Sequence, residues 1–177
     1  LIEGCLGEKK PTSREISPSS KSVGKAVSDA ADPLSYDETK EYQRLAATAL
    51  YLAGDRLEIQ NAVAILMRVM ANPTKLHWLQ LCRLASYLAA HPQLELVYAN
   101  EELPSEIYAE VDADWAGCVE TRRSTDGGFE FFGKCMIDGW SSTQQSIALS
   151  SGESELYGIC NGSARVLWTA HLLQDLS

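Results

Sequence analysis

The chain has 177 residues, 45% of them hydrophobic and 22% charged, with a formal net charge of −9. That suffices for one ordinary domain or two small ones, and its acidity argues against simple clamping of nucleic-acid phosphates. No apolar run reaches the roughly 18–20 residues a membrane helix needs, and no secretory pattern opens the chain.

The charge is uneven. Residues 1–99 carry 11 basic and 11 acidic side chains; residues 100–177 carry 4 basic and 13 acidic, and so supply the whole −9. Such a half suits a site that recruits a cation first and phosphate second, although a solvated acidic surface explains most of the same charges. Five scattered cysteines (Cys5, Cys82, Cys118, Cys135, Cys160) include no CxxC pair, which speaks against zinc. Without a signal peptide, an odd count fits reduced thiols in the cytoplasm or nucleus. A first residue that is Leu rather than Met reads as a piece of a longer chain.

Residues 1–34 are rich in Ser, Lys, Pro and Gly and read as a flexible lead-in. Three helices are expected over 35–93. The first opens with Ser35 as N-cap and Glu38 three residues on, a capping-box spacing, with Tyr42, Leu45, Ala46, Ala49 and Leu52 at helical intervals. The second starts at Asp55, again with Glu58 three on, and carries Ile59, Ala62, Val63, Leu66 and Met70. Asn72-Pro73 gives a stop, a cap and a proline-first restart. The third holds Trp78, Leu81, Ala85 and Leu88 and ends near His91-Pro92.

The period changes near residue 94. Leu94, Leu96 and Tyr98 suggest a strand. In 107–114, Ile107, Ala109, Val111 and Ala113 face one way; Tyr108, Glu110, Asp112 and Asp114 face the other. Gly127-Gly128 opens Phe129–Phe132, and Gly133-Lys134 separates it from Cys135–Trp140, as in an antiparallel meander. A last helix begins at Ser150 or Ser151 with Glu153 at capping distance. Its expected broad face is Leu156, Ile159, Cys160, Ser163 and Leu167.

Asp112 and Asp114, two apart on one strand face, repel unless a cation or water separates them. If the last helix packs on that face, Asp112 and Glu155 share one magnesium ion, a hard cation that prefers oxygen ligands. The plainer readings stand beside this: an Asp at a strand end capping a turn, and Glu153 capping its helix. Arg122 and Arg123 fit a phosphate bidentately or pair with local acids. Trp115 and Trp140 suit base stacking, with buried core as the first reading. The motifs HExxH, GxxxxGK and GxSxG are absent.

The strings VDADWAG, RRSTDGG, WSSTQQSIALSS and GESELY resemble, in order and spacing over about 70 residues, the ribonuclease H region of copia-type retrotransposon Pol polyproteins. Upstream, YQRLAATALYLAGDRLEIQNAV and MANPTKLHWLQLCRLASYL resemble that family's reverse transcriptase connection, so the likeness spans roughly residues 36–172. It implies a ribonuclease H-like α/β fold with a mixed sheet, cutting RNA in RNA–DNA hybrids with Mg2+ (Mn2+ as the alternative). Asp112 matches the first catalytic aspartate and Glu155 the catalytic glutamate; Asp114 is a further candidate metal ligand.

The family pattern continues to later aspartates that these 177 residues lack, and Leu57, Asp126 and Ser86 replace a usual proline, serine and arginine. The resulting expectation is a lead-in (1–34), a helical connection (35–93) and the N-terminal half of a ribonuclease H-like domain (94–177) with weak or no hydrolysis. Its partners would be an RNA–DNA hybrid and the rest of the Pol polyprotein, with no membrane. The rival is a degenerate or domesticated non-catalytic module that binds nucleic acid or another Pol subunit, and an open sheet edge would also allow self-association.

Overall fold

The computed structural model describes residues 17–18, 32–98, 103–118 and 121–176. The chain divides into two compact units, with the boundary between Leu94 and Glu95. Most of the expected lead-in lies outside the described residues. Residues 32–34, however, are tied down: the Leu34 N–H donates to the Pro73 carbonyl, and Asp32 accepts from the Lys75 backbone and ammonium.

The first unit is helical. Helix α1 (Tyr36–Leu52) begins as expected, with Ser35 and Glu38 in a reciprocal capping box. Tyr42, Leu45, Ala46 and Ala49 are buried, one stripe at the helical period. The Tyr42 hydroxyl donates to the Leu66 carbonyl at 3.0 Å. Burial pushes its phenol pKa well up.

The second helix differs from expectation. Residues Leu57–Ile59 form a 3-10 turn, and α2 runs only over Gln60–Arg68. Asp55 does not cap it, and Glu58 instead pairs with Arg56 at 2.6 Å. A local ion pair took the side chain that the spacing assigned to a cap. Helix α3 (Lys75–Ala90) starts at Thr74, whose N–H donates to His77 Nδ1, so the cap is Thr74 rather than the Asn72-Pro73 pair. Leu81, Leu84, Ala85 and Leu88 complete the core with Ile59, Val63 and Leu66.

The second unit is α/β. No strand forms at residues 94–98, all of which are exposed; alternation without a partner strand has nothing to pair with. Strands β1 (Ile107–Asp114), β2 (Thr125–Phe132) and β3 (Cys135–Thr143) form an open antiparallel sheet in that order. This is the expected antiparallel meander followed by a helix; among the described residues the sheet has no parallel strand to make it the mixed sheet that the resemblance implies. Helix α4 (Ser151–Leu176) covers one face.

Gly127 and Gly128 lie inside β2 rather than opening it. Gly128 stands between Val111 and Trp140 in register. A Cβ there would strike the Glu110 carbonyl and lie 2.7 Å from the Trp140 ring, so only glycine lets the indole lie across the strand.

The expected apolar face of α4 is not its packing face. The buried residues are Ser154, Gly158 and Gly162, while Leu156, Ile159 and Leu167 are exposed. Small residues win because the backbone approaches the sheet closely: a Cβ on Gly162 would come within 2.6 Å of Val111 Cγ2.

Candidate functional site

The alternation expected in β1 is present: odd positions are half-buried and even ones exposed. Val111 and Ala113 lie against Gly158 of α4. A strand turns successive side chains to opposite faces, so Asp112 and Asp114 point to the face that α4 leaves open. The Asp112 carboxylate has no hydrogen-bond or ion-pair partner among the described residues. Asp114 folds over the turn that follows, its carboxylate where a Gly117 side chain would sit.

Glu155 stands one turn before Gly158 on α4, half-buried. Its helix lies on the Val111 face, not on the carboxylate face that a shared ion requires. Among the described residues, no group of three or more His, Cys, Asp or Glu side chains is placed to hold a metal.

Glu153 caps α4: its N–H donates to Ser150 Oγ at 3.1 Å, and its carboxylate accepts the Leu149 N–H at 2.7 Å. It also accepts from the Tyr157 hydroxyl at 2.9 Å, which raises the phenol pKa above its ordinary value. Arg122, with φ of 57°, and Arg123 are exposed in the β1–β2 loop and pair with no acid among the described residues. Trp140 is buried, as core; Trp115 is 47% exposed, its indole N–H donating to the Ala148 carbonyl.

The helix side of the sheet holds a polar cluster that sequence reasoning missed. Asp126, in register with Ala113 and Ser142, is only 3% exposed. Its Oδ2 accepts from Asn161 Nδ2 at 2.7 Å and Ser142 Oγ at 3.2 Å. A second group follows toward the other end, where Arg165 reaches Asp138 at 3.4 Å and lies over the Trp140 ring. The signal for the first cluster was in the sequence: Asp126 stands where the resembling pattern has serine. What it did not show was Asn161 waiting one helix away.

This chain is 32% identical over 136 residues to the retrovirus-related Pol polyprotein from transposon RE2 of Arabidopsis thaliana, covering 77% of the chain. It is 30% identical over 167 residues, 94% of the chain, to the Pol polyprotein from transposon RE1 of the same plant. The chain belongs to the copia-type Pol polyprotein family. It spans 9% and 11% of the lengths of those two Pol relatives. A shorter relative in the comparison is a secreted RxLR effector protein 161 of Plasmopara viticola, 33% identical over 115 residues, 64% of this chain and 79% of that protein. No protein-family model and no solved structure matches the chain. Among the described residues, no helix of this Pol segment is long and apolar enough to cross a membrane.

Proposed function

We propose that residues 95–177 are the N-terminal part of a ribonuclease H-like domain, ancestrally a metal-dependent endonuclease for RNA in RNA–DNA hybrids, and that the chain alone does not turn over. The likeness to Pol polyproteins over most of the chain supports the ancestry. The carrying observation for inactivity is geometric: Asp112 faces away from the helix that bears Glu155. Two carboxylates on opposite sides of a sheet do not clamp one small hard cation. The residues present therefore do not make a Mg2+ or Mn2+ centre, and no hydrolytic step is derived through one.

Asp112, Glu155 and Asp114 are assigned as ligands only for a fuller Pol protein, whose additional elements would bring further acids and reshape the sheet. Arg122 and Arg123 are assigned there to the phosphate backbone of the hybrid. Unaided, the second unit acts as a binding module, the reading favoured by a β1 edge that pairs with no strand on its outer side among the described residues. Such an edge also allows self-association.

The test uses a labelled RNA–DNA hybrid with Mg2+ or Mn2+. The chain alone is expected to leave it intact. A longer Pol protein containing this segment is expected to cut it, and to lose cutting with Asp112→Asn and with Glu155→Gln. Cleavage by the 177-residue chain itself would overturn the incompleteness. Cleavage by the longer protein that survives both substitutions would overturn the ligand assignment.

A further inference from the structure

We propose that the open face of the sheet docks a basic amphipathic segment of another polypeptide. This face lies opposite α4 and has two chemically different ends. At one end Tyr108 and Phe131 stack, ring centroids 5.0 Å apart and planes 10° from parallel. Phe129 lies beside them on the same face, and Tyr108 and Phe129 are 39% and 40% exposed. At the other end β1 presents Asp112, with Glu110 between the two ends and in register with Phe129. The side chains of Glu110 and Asp112 are exposed and have no hydrogen-bond or ion-pair partner among the described residues. The remaining strand positions on this face, Asp114, Thr125, Gly127, Met136, Gly139, Ser141 and Thr143, bring no positive charge.

Charge decides among occupants. A second copy laid on this face would oppose carboxylates with carboxylates, within a half-chain of net −9, and like charges placed opposite one another repel. With no metal ion between them, as in the chain alone, nucleic-acid phosphates meet the same carboxylates and are repelled for the same reason. A segment with apolar side chains on one stretch and Lys or Arg on the next satisfies both ends. Its apolar groups cover the rings. Its cations meet Glu110 and Asp112, and also suit the faces of Tyr108 and Phe129. The inference shares Asp112 with the nuclease reading, but Phe129 and Glu110, which carry its test, belong to none of the groups assigned to metal or hybrid.

The probe is a fluorescent amphipathic Leu/Lys helix peptide, read by anisotropy against the full chain. A version with Glu for Lys and a scrambled version of the same composition run beside it. The Lys peptide is expected to bind, the Glu version not to bind, and the scrambled one to bind more weakly. Phe129→Ser and Glu110→Gln are each expected to weaken the Lys peptide by about fivefold at low salt, with circular dichroism confirming the fold. Salt of about 0.5 M should reduce what charge contributes. Equal binding by parent and both variants, or by ordered and scrambled peptides, would overturn the proposal. So would sedimentation of the chain as a dimer that Phe129→Ser makes monomeric, because a second copy would then cover the face.

Discussion

Three glycines rank by what a methyl group would meet. At Gly128 the obstacle is the Glu110 backbone as well as the Trp140 ring, and backbone cannot swing aside. Overpacking typically costs about 1–3 kcal/mol, and Gly128→Ala should fall at the upper end. At Gly162 the obstacle is Val111 Cγ2 at 2.6 Å, a β-branched side chain stiff at χ1. Helix propensity returns about 1 kcal/mol for Gly→Ala, so Gly162→Ala should cost about 1 kcal/mol net. At Gly158 the nearest atom is 3.1 Å away, and the two effects should cancel. Urea unfolding of the three variants checks the order; a Gly158→Ala variant worse than Gly128→Ala would refute this account of the close approach. A different residue, Tyr42, sets an alkaline limit. Its folded-state pKa is raised above the 10.0 of an unfolded tyrosine by burial. The contribution is therefore fully present below pH 10 and is lost as pH rises through the folded value, because the unfolded chain releases its proton first. Tyr42→Phe should lose about 1 kcal/mol at neutral pH with the Leu66 hydrogen bond, yet decline less steeply than the parent in unfolding measured above pH 10.

Elements were legible where a short-range rule acted alone. The Ser35–Glu38 and Ser150–Glu153 spacings became real caps, and Ser150→Ala should cost about 1 kcal/mol, read by thermal unfolding. No loss at all would mean that water caps α4 as well as the hydroxyl does. The Asp55–Glu58 spacing looked the same and failed, since Arg56 lay between them and claimed Glu58. The alternation of β1 survived because strand pairing fixed it, whereas the same alternation at 94–98 had no partner strand. The packing face of α4 was illegible for a deeper reason. Apolar periodicity identifies a helix that buries large side chains, but α4 buries Ser154, Gly158 and Gly162. Its contact with the sheet is a close backbone approach, which leaves no apolar stripe in the sequence. The side of β1 that α4 covers, which decides whether Val111 or Asp112 meets it, likewise has no signal in the spacing of either element. Asp126 shows the residue-level remainder, because a buried acid is tolerated only where donors such as Asn161 await it.

At the scale of the whole chain, the two units rest on different chemistry. The first has a core of large aliphatic side chains drawn from three helices, such as Leu45, Leu66 and Leu81. The second has few buried apolar residues, Trp140 and Ala148 among them, and its helix–sheet seam carries Asp126, Glu130 and Ser154. Apolar burial at about 25 cal/mol per Å2 favours the first, while a seam holding buried polar groups leaves the second the weaker unit. Urea unfolding of the full chain should therefore proceed in two steps. Trp78 lies in the first unit and the other three tryptophans, Trp115, Trp140 and Trp168, in the second, so the fluorescence change that Trp78→Phe removes belongs to the first unit and the remainder to the second. Leu81→Ala, at a fully buried position, should cost about 2–5 kcal/mol and shift the later step alone. Asn161→Ala, which strips Asp126 of its shorter hydrogen bond, should cost about 1–3 kcal/mol and shift the earlier step alone. A single transition that both substitutions move together would show instead that the units fold as one cooperative body, and the division of chemistry between them would then have no thermodynamic meaning.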